Sequence, residues 1–264
     1  MEPDERLTHG SSFGAAAAAY AQHRPDYAAA AVAWALELAP GGQAARVLDL
    51  GAGTGKLTAA LVGLGVDVTA VEPDPAMLAE LRRQLSSARL PGTRALSGSA
   101  ESIPLPDQSV DAVVAGQALH WFDMAVAGPE IARVLVPRGV LAGLWNVDDD
   151  RVDWVAALER VSEGSASVTL SNWHASEARA HLAELELPGL FTVPERAEFP
   201  HGQRRTVESL LATIATHSRP LVMPADERDQ LLSRIRAYLE SRPETSGGEF
   251  TLPMLTGVLR ATRL

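Results

Sequence analysis

The hydrophobic residues of the chain form short runs that alternate with segments of helical character. In the first 147 residues the apolar runs lie at 47–50, 66–71, 94–97, 110–115 and 140–145. The segments between them, at 56–64, 75–85 and 123–135, are predicted to be helices. This alternation of strand and helix predicts βαβ units and a parallel, doubly wound sheet of the α/β class.

The pattern changes after residue 147. Strands are predicted at 196–203 and 251–260, and helices at 151–161, 175–185, 207–216 and 225–240. We expect the last strand to complete a seven-stranded, mostly parallel sheet, with the inserted helices as a cap over its cleft. Helices are also predicted before the sheet, at 15–22 and 28–38, which divides the chain into three parts, at 1–45, 46–147 and 148–264.

Composition narrows the possible classes of protein. With 264 residues, 46% of them hydrophobic, the chain can bury one sizeable core. The absence of cysteine excludes disulfides, thiolate metal sites and a cysteine nucleophile. Residues 1–12 lack the apolar core of a signal peptide, and no run is long enough to cross a bilayer. A cytoplasmic protein without a membrane partner is therefore expected.

The charged residues argue against nucleic-acid-binding proteins, lysine-dependent enzymes and metal-binding proteins. The net charge is −10, with acidic and basic residues interspersed, so no nucleic-acid partner is expected. Lys56 is the only lysine, which excludes a lysine Schiff base elsewhere and the Tyr-x-x-x-Lys pair of hydride-transferring enzymes. Asp148, Asp149 and Asp150 have no partner histidine at ligand spacing, so no metal site is predicted.

The most informative segment is 47–58, VLDLGAGTGKLT, where a predicted strand enters a glycine turn that opens a helix. Such a turn lets the backbone approach a ligand closely, and the first N–H groups of the helix point the same way. A nucleoside-triphosphate loop would need glycine at 50 and Ser or Thr after Lys56, but Leu50 and Leu57 stand there. A dinucleotide fingerprint, G-x-G-x-x-G, would need its third glycine at position 56, where Lys56 stands. Neither pattern therefore fits the chain.

A carboxylate follows the next predicted strand. Glu72 lies about 20 residues beyond the glycines, where a side chain can accept hydrogen bonds from both ribose hydroxyls of an adenosine. Enzymes that use NAD share this arrangement, so Glu72 supports an adenosine-containing cofactor of either kind. Its alternative role is to cap the helix that follows Pro73.

The D-x-G-x-G-x-G pattern that starts at Asp49 resembles the first motif of class I S-adenosylmethionine-dependent methyltransferases. Three other segments resemble the small-molecule, type 11 group that includes trans-aconitate methyltransferase and quinone C-methyltransferases. They are FGAAAAAYAQHRPDY at 13–27, GSAESIPLP at 98–106 and GQALHWFD at 116–123. The resemblance extends from residue 13 to about 147, and it implies a Rossmann-like domain with S-adenosylmethionine as cofactor and S-adenosylhomocysteine as product.

This resemblance implies a set of cofactor-binding residues. Residues 1–45 would cover the cofactor. The glycine turn and Asp49 would hold the methionine end of the cofactor, and Glu72 would hold its ribose. Ser99 replaces the usual aspartate, so recognition of adenine is expected to shift to the Ala100 backbone and Glu101. The full set is Tyr20, Arg24, Asp49, Gly51, Ala52, Gly53, Thr54, Gly55, Glu72, Pro73, Met77, Ser99, Ala100, Glu101 and Gln117. For Tyr20, Arg24 and Met77 the alternative is simple packing.

The predicted fourth strand delivers GQALHW to the carboxyl edge of the sheet, where open α/β sheets bind ligands. His120 has the chemistry of a general base, but it could instead orient the acceptor, and a carboxylate acceptor would need no base. Trp121 is expected to form a pocket wall beside the sulfonium. The expected substrate pocket comprises His120, Trp121, Trp145, His174, His217 and Arg219.

The sequence thus predicts a methyltransferase that transfers a methyl group in line to O, N or C of a small molecule, for which alignment of the acceptor matters most. Two alternatives stay open: an NAD(P)-dependent oxidoreductase, and a homologue that binds the cofactor without methylating. The protein is expected to be a monomer or a homodimer.

Overall fold

The computed structural model describes residues 24–87, 92–163, 189–215, 220 and 223–264 of the chain. These residues form one seven-stranded sheet flanked by helices. The strands are β1 (Arg46–Leu50), β2 (Asp67–Glu72), β3 (Arg94–Ser97), β4 (Val110–Gly116), β5 (Leu135–Asp148), β6 (Glu195–Thr206) and β7 (Glu249–Thr262).

The strand order is β3-β2-β1-β4-β5-β7-β6. Strands β1 to β5 are parallel, whereas β7 is antiparallel to both of its neighbours, β5 and β6. The order reverses between β1 and β4, and this switch point opens a crevice at their carboxyl ends. The predicted doubly wound, mostly parallel sheet is therefore confirmed, and the crevice lies where the glycine turn follows β1.

Seven helices can be described, and all of them begin and end within two residues of the predicted limits. They are α1 (Ala29–Leu36), α2 (Lys56–Gly63), α3 (Pro75–Ser87), α4 (Met124–Val134), α5 (Asp153–Glu163), α6 (Val207–Ala215) and α7 (Ala225–Ser241). Within the described ranges, none of them has the length and hydropathy of a bilayer-spanning helix. The helices predicted at 15–22 and 175–185 lie outside the described residues.

The alternating side chains of the central strands give the sheet two buried faces. Helices α1 and α2 pack through Val32 and Leu61 on the face that carries Val114. Helix α4 packs through Ile131 on the opposite face, which carries Val113. Because both faces are covered, the strands are nearly continuous in apolar residues, as expected for a parallel sheet.

The C-terminal helices have a core of their own. Leu158 of α5, Ile214 of α6 and Ile235 of α7 are buried together against Phe250 and other residues in the first half of β7. The helical unit predicted in the C-terminal half is therefore present, and it is attached to the sheet through β7.

Two boundaries differ from the prediction for local reasons. Strand β5 begins at Leu135 rather than residue 140, because Leu135 pairs with Val110 before a shift in register. Helix α5 begins at Asp153 rather than 151. The Asp149 carboxylate accepts hydrogen bonds from the backbone N–H of Arg151, at 3.2 Å, and from its guanidinium, at 2.6 Å, which forms a turn before the helix.

Candidate cofactor and acceptor site

The glycine turn after β1 is held against β2 by backbone hydrogen bonds. The N–H groups of Gly51 and Ala52 donate to the carbonyl of Val71, at 2.9 and 3.1 Å. Gly51, Gly53 and Gly55 all have positive φ angles, of 70, 57 and 95°. Only glycine adopts this conformation without cost, so the backbone itself requires the alternating glycines.

The three glycines differ in what surrounds them. A Cβ atom at Gly51 would lie 2.8 Å from Cβ of Ala118, and one at Gly55 would lie 2.5 Å from Cδ1 of Leu81. At Gly53, by contrast, no heavy atom of the described residues lies within 4 Å of the added carbon. Gly51 and Gly55 therefore serve packing, whereas Gly53 leaves open space in which a ligand can contact the backbone.

Glu72 lies at the carboxyl end of β2 and is almost fully buried. Its Oε2 accepts a hydrogen bond from the N–H of Gly53 at 2.8 Å, and its Oε1 accepts one from the N–H of Asp74 at 2.9 Å. Burial raises the pKa of Glu72, and these two backbone donors oppose the rise. Each carboxylate oxygen has a second lone pair, so the side chain can still accept hydrogen bonds from a ligand.

Asp49 is fully buried at the end of β1. Burial raises its pKa to about 7; the hydrogen bond from the Thr58 hydroxyl, at 2.6 Å, opposes this rise, and the charge of Glu72 adds to it. Oδ1 of Asp49 and the hydroxyl of nearby Thr54 are buried, and neither has a hydrogen-bond partner among the described residues. Unsatisfied buried polar atoms are costly, so both favour a polar ligand at the glycine turn.

Asp49 and Glu72 together give the crevice its electrostatic character. Both are buried, and the charge of Glu72 raises the pKa of Asp49. A positively charged ligand would stabilise both carboxylates, whereas an anionic phosphate would be repelled. The charge of the site therefore favours a cationic ligand over an anionic one.

The segment that precedes α1 crosses the carboxyl edge of the sheet. Asp26 accepts a hydrogen bond from Nζ of Lys56, the first residue of α2, at 2.9 Å. The hydroxyl of Tyr27 lies over Gly116 at the end of β4, where an added Cβ would lie 2.4 Å from it. Neither Asp26 nor Tyr27 was predicted as a site residue, although both belong to the RPDY segment of the leader.

A buried polar network fixes this segment. The amide of Asn146 donates to the carbonyl of Asp26 at 3.1 Å, and its Oδ1 accepts a hydrogen bond from the hydroxyl of Thr256 at 2.6 Å. That hydroxyl also accepts from the N–H of Ala28 at 3.0 Å. Gln117 joins the network through its side chain, which donates to the carbonyl of Asn146 at 2.9 Å. The network joins the leader to the ends of β4 and β5 and to the middle of β7.

The segment after β3 lies beside Glu72. The N–H of Gly98 approaches the carbonyl of Glu72 at 3.4 Å, Ser99 forms a bridge with Ser102, and Ala100 is buried in the core. Glu101 accepts a hydrogen bond from the N–H of Asp123 at 3.0 Å. Glu101 thus connects this segment to the turn that carries His120.

His120 and Trp121 lie in a short 3₁₀ turn, Leu119–Trp121, after β4. Their ring centroids are 4.9 Å apart, with an angle of 41° between the planes. Trp145 is buried on β5, and its Nε1 donates to Nδ1 of His120 at 3.4 Å. The structure thus brings together three of the six residues predicted for the substrate pocket.

Other predicted site residues have varied positions. Met77 is buried in α3, whereas Pro73 is exposed. Arg24 is partly buried at the start of the described chain. Tyr20, His174, His217 and Arg219 lie outside the described residues.

Asp148, at the end of β5, and His201, in the middle of β6, were not predicted as site residues. Asp148 and His201 both pair with Met254 of β7, from opposite sides. Burial raises the pKa of Asp148 to about 7; the charge of Glu159 adds to the rise, and Arg205 opposes it. The neighbouring Asp149 is buried and forms an ion pair with Arg151, so these consecutive acids do not form an ordinary solvated turn.

Comparison with known proteins identifies the family. A family model described as a methyltransferase domain matches residues 48–143, which include the glycine turn, Glu72 and His120. An uncharacterized methyltransferase of Mycobacterium tuberculosis is 41% identical over 252 residues, which cover 95% of each chain. The chain belongs to the class I methyltransferase family.

The fold and the pattern of relatives agree with this assignment. The methyltransferase superposes on a structure from Anaeromyxobacter dehalogenans, described as a type II methyltransferase, with a TM-score of 0.65. The two are 26% identical over 91% of this chain and 97% of the other. A malonyl-[acyl-carrier protein] O-methyltransferase of Enterobacter lignolyticus is 35% identical over 143 residues, which are 54% of this chain and 55% of the relative.

Proposed function

We propose that this methyltransferase uses S-adenosylmethionine to methylate a small-molecule acceptor. The observation that carries the proposal is the pair of buried carboxylates, Asp49 and Glu72, beside the open space at Gly53. S-adenosylmethionine has a cationic sulfonium and ammonium group and two ribose hydroxyls. These groups match the charge that the carboxylates need and the lone pairs that they offer.

The residues divide between the two ends of this cofactor. Glu72 would accept hydrogen bonds from the ribose hydroxyls. Asp49, directly or through solvent, and the backbone at Gly53 would hold the methionine end. The bound cofactor supplies an electrophilic methyl group, so the protein mainly has to align the acceptor and exclude water. The leader segment with Asp26 and Tyr27 would contribute to this, and its contacts with α2 and with the end of β4 support that role.

Calorimetric titration tests the cofactor. S-adenosylmethionine should bind, and the Glu72→Ala variant should lose at least about 100-fold in affinity, since two charge-assisted hydrogen bonds are removed. Asp67→Ala is the matched control, because it removes an exposed carboxylate from the other end of the same strand. Wild-type affinity in Glu72→Ala would remove Glu72 from the site. Binding of NADH in place of S-adenosylmethionine would favour the oxidoreductase alternative.

The acceptor requires a separate experiment. Resemblance to the malonyl-[acyl-carrier protein] O-methyltransferase supports an oxygen acceptor. Methyl-labelled S-adenosylmethionine incubated with a panel of metabolites should yield labelled product. A protein that binds the cofactor but labels nothing in a broad panel would be a non-methylating homologue.

The remaining features of the proposal concern the protein as a whole. We propose that it acts in the cytoplasm as a monomer or homodimer, with a small molecule rather than nucleic acid as substrate. The net charge of −10 supports the last point.

A further inference from the structure

A guanidinium in the last turn of α4 holds the segment that follows β3. Nη1 of Arg133 donates to the carbonyl of Leu105 at 2.9 Å, and Nη2 donates to the carbonyl of Ile103 at 3.0 Å. From the preceding turn of the helix, Oε2 of Glu130 accepts a hydrogen bond from the N–H of Ile103 at 3.1 Å. Two side chains of one helix therefore hold three backbone groups of this segment.

Arg133 uses its full hydrogen-bonding capacity in these contacts. Nε and Nη2 donate to the two carboxylate oxygens of Glu130 at 2.8 and 2.9 Å, and Nη1 also donates to Oδ1 of Asp107 at 2.8 Å. Together with the two carbonyl oxygens, these acceptors match the five N–H donors of a guanidinium. The segment is thus fixed by a planar, bidentate group, which restricts its position more closely than a single ammonium would.

The anchored residues support the backbone that lies beside Glu72. Ser97, the last residue of β3, pairs with Glu72 in the sheet, and the chain continues from it into Gly98. A Cβ atom at Gly98 would lie 2.6 Å from Cδ of Pro104, which stands between the two anchored carbonyl groups. Pro104 therefore packs directly on Gly98, and a shift of the anchored residues would move the backbone next to Glu72.

The strand order determines which part of the proposed cofactor meets this segment. In the order β3-β2-β1-β4, the glycine turn follows β1, Glu72 ends β2 and Gly98 follows β3. With the methionine end held at the glycine turn and the ribose at Glu72, the nucleobase extends from the ribose away from β1. It then lies at the end of β3, against the segment that Arg133 holds.

We propose that Arg133 and Glu130 are positioning residues that fix residues 98–107 as the wall of a nucleobase pocket, and that they thereby set the preference for adenine; this rests on the proposed function. Purines differ in the donors and acceptors on their edges, so discrimination between them requires polar groups at fixed positions. Without its anchors the segment would have to be ordered when the cofactor binds, which lowers affinity. Neither side chain has to contact the cofactor for this role.

Two ligands that differ only in the nucleobase test the proposal. S-inosylhomocysteine has a carbonyl oxygen where S-adenosylhomocysteine has the amino group of adenine. In calorimetry the wild type should bind the adenosyl ligand at least about tenfold more tightly. In Arg133→Met, which keeps an apolar stem but no donors, this ratio should fall to about threefold or less, because the adenosyl ligand loses most affinity. Arg133→Lys should resemble Arg133→Met, since an ammonium cannot replace the planar fork.

Arg46→Met is the matched control. Arg46 forms a bidentate ion pair with Asp111, with N–O distances of 3.0 and 2.9 Å, at the opposite edge of the sheet. Its replacement should lower Tm but leave the ratio of the two affinities at the wild-type value. If both ligands weaken equally in Arg133→Met, Arg133 only stabilises the fold and the proposal is wrong. A wild type that binds both ligands equally also refutes it.

Two further measurements keep the proposal testable if Arg133→Met does not fold. Glu130→Gln keeps the shape of the side chain but removes its charge, and it should also lower the ratio. In the wild type, S-adenosylhomocysteine should slow amide hydrogen exchange in residues 98–107, and unchanged exchange there despite binding would overturn the proposal. If neither ligand binds to the wild type, the proposed function fails and this inference with it, whereas binding without preference for adenine contradicts this inference alone.

Discussion

The buried carboxylate of Asp49 should make cofactor binding depend on pH. Burial raises its pKa to about 7, so at neutral pH about half of the molecules carry a protonated Asp49. A cationic ligand favours the ionised form. S-adenosylmethionine should therefore bind more tightly as the pH rises through 7, and Asp49→Asn should remove this dependence because Asn does not ionise.

The size of the effect follows from the ionised fraction. For a pKa of about 7, that fraction falls about tenfold between pH 8 and pH 6, so the Kd should rise about tenfold over this range. Glu72 also faces the site, and its pKa is raised as well, which can only add to the loss at low pH. In Asp49→Asn the Kd should be at least about tenfold weaker at pH 8 and nearly constant down to pH 6.

The raised pKa of Asp49 also predicts how the stability of the ligand-free protein depends on pH. Rising pH should strengthen cofactor binding but should destabilise the fold. The pKa of Asp49 is higher in the folded chain than its ordinary value of 3.8, so the protonated form favours folding and the free energy of unfolding falls as the pH rises through 7. A rise of about three units corresponds to about 4 kcal/mol as an upper figure. Without ligand, Asp49→Asn should therefore be more stable than the wild type at pH 8, and this difference should shrink towards pH 5.

Calorimetry at pH 6, 7 and 8 and thermal unfolding at pH 5 and 8 measure both quantities. Asp67→Asn is the control for loss of one negative charge, and it should keep the wild-type pH dependence. The reasoning is refuted if Asp49→Asn retains the tenfold change in Kd, or if it is less stable than the wild type at pH 8.

Three further predictions concern single residues. Gly53→Val should abolish S-adenosylmethionine binding in calorimetry, because its side chain enters the open space at the turn, whereas wild-type affinity would place the ligand elsewhere. Arg138→Gly should stabilise the protein by about 1 kcal/mol and raise Tm by about 2–4 °C, because Arg138 has a φ of 63°, in the left-handed region that is strained for residues with a side chain. An unchanged or lower Tm would show that this backbone strain is absent. Asn146→Ala should destabilise the protein by about 1–3 kcal/mol in denaturant unfolding, because Thr256 and the carbonyl of Asp26 lose their buried partner. A loss below about 0.5 kcal/mol would contradict the importance of this network.

The parts of the site that depend on local chemistry were predictable from the sequence. β-branched runs predict strands, and the glycines between β1 and α2 predict a tight turn. Because parallel strands end at the same edge, the positions of Asp49 and Glu72 along the chain are enough to place them in one crevice. The positive φ of Arg138, by contrast, is not evident from the residue type, because the left-handed region is the one that glycine usually occupies.

The parts that depend on distant contacts were not predictable. Asp149 lies in a run of three acids that resembles a solvated turn in sequence, and only the fold shows that this residue is buried. Asn146 meets Asp26 and Thr256, which are 120 and 110 residues away, and no periodicity reports such a contact. For His120 the sequence left base and orienting roles open, and its contact with the indole of Trp145, 25 residues away on another strand, was not predictable either.

The lysine of the ion pair between Lys56 and Asp26 is a site at which the protein can be labelled chemically. Lys56 is the only lysine in the sequence, its side chain is 26% exposed, and it begins the helix that follows the glycine turn. Amine-reactive reagents therefore have a single side-chain target in the whole molecule, next to the crevice. A fluorophore attached there would report ligand entry directly, and protection of this amine from acylation would measure occupancy without a radioactive or coupled assay.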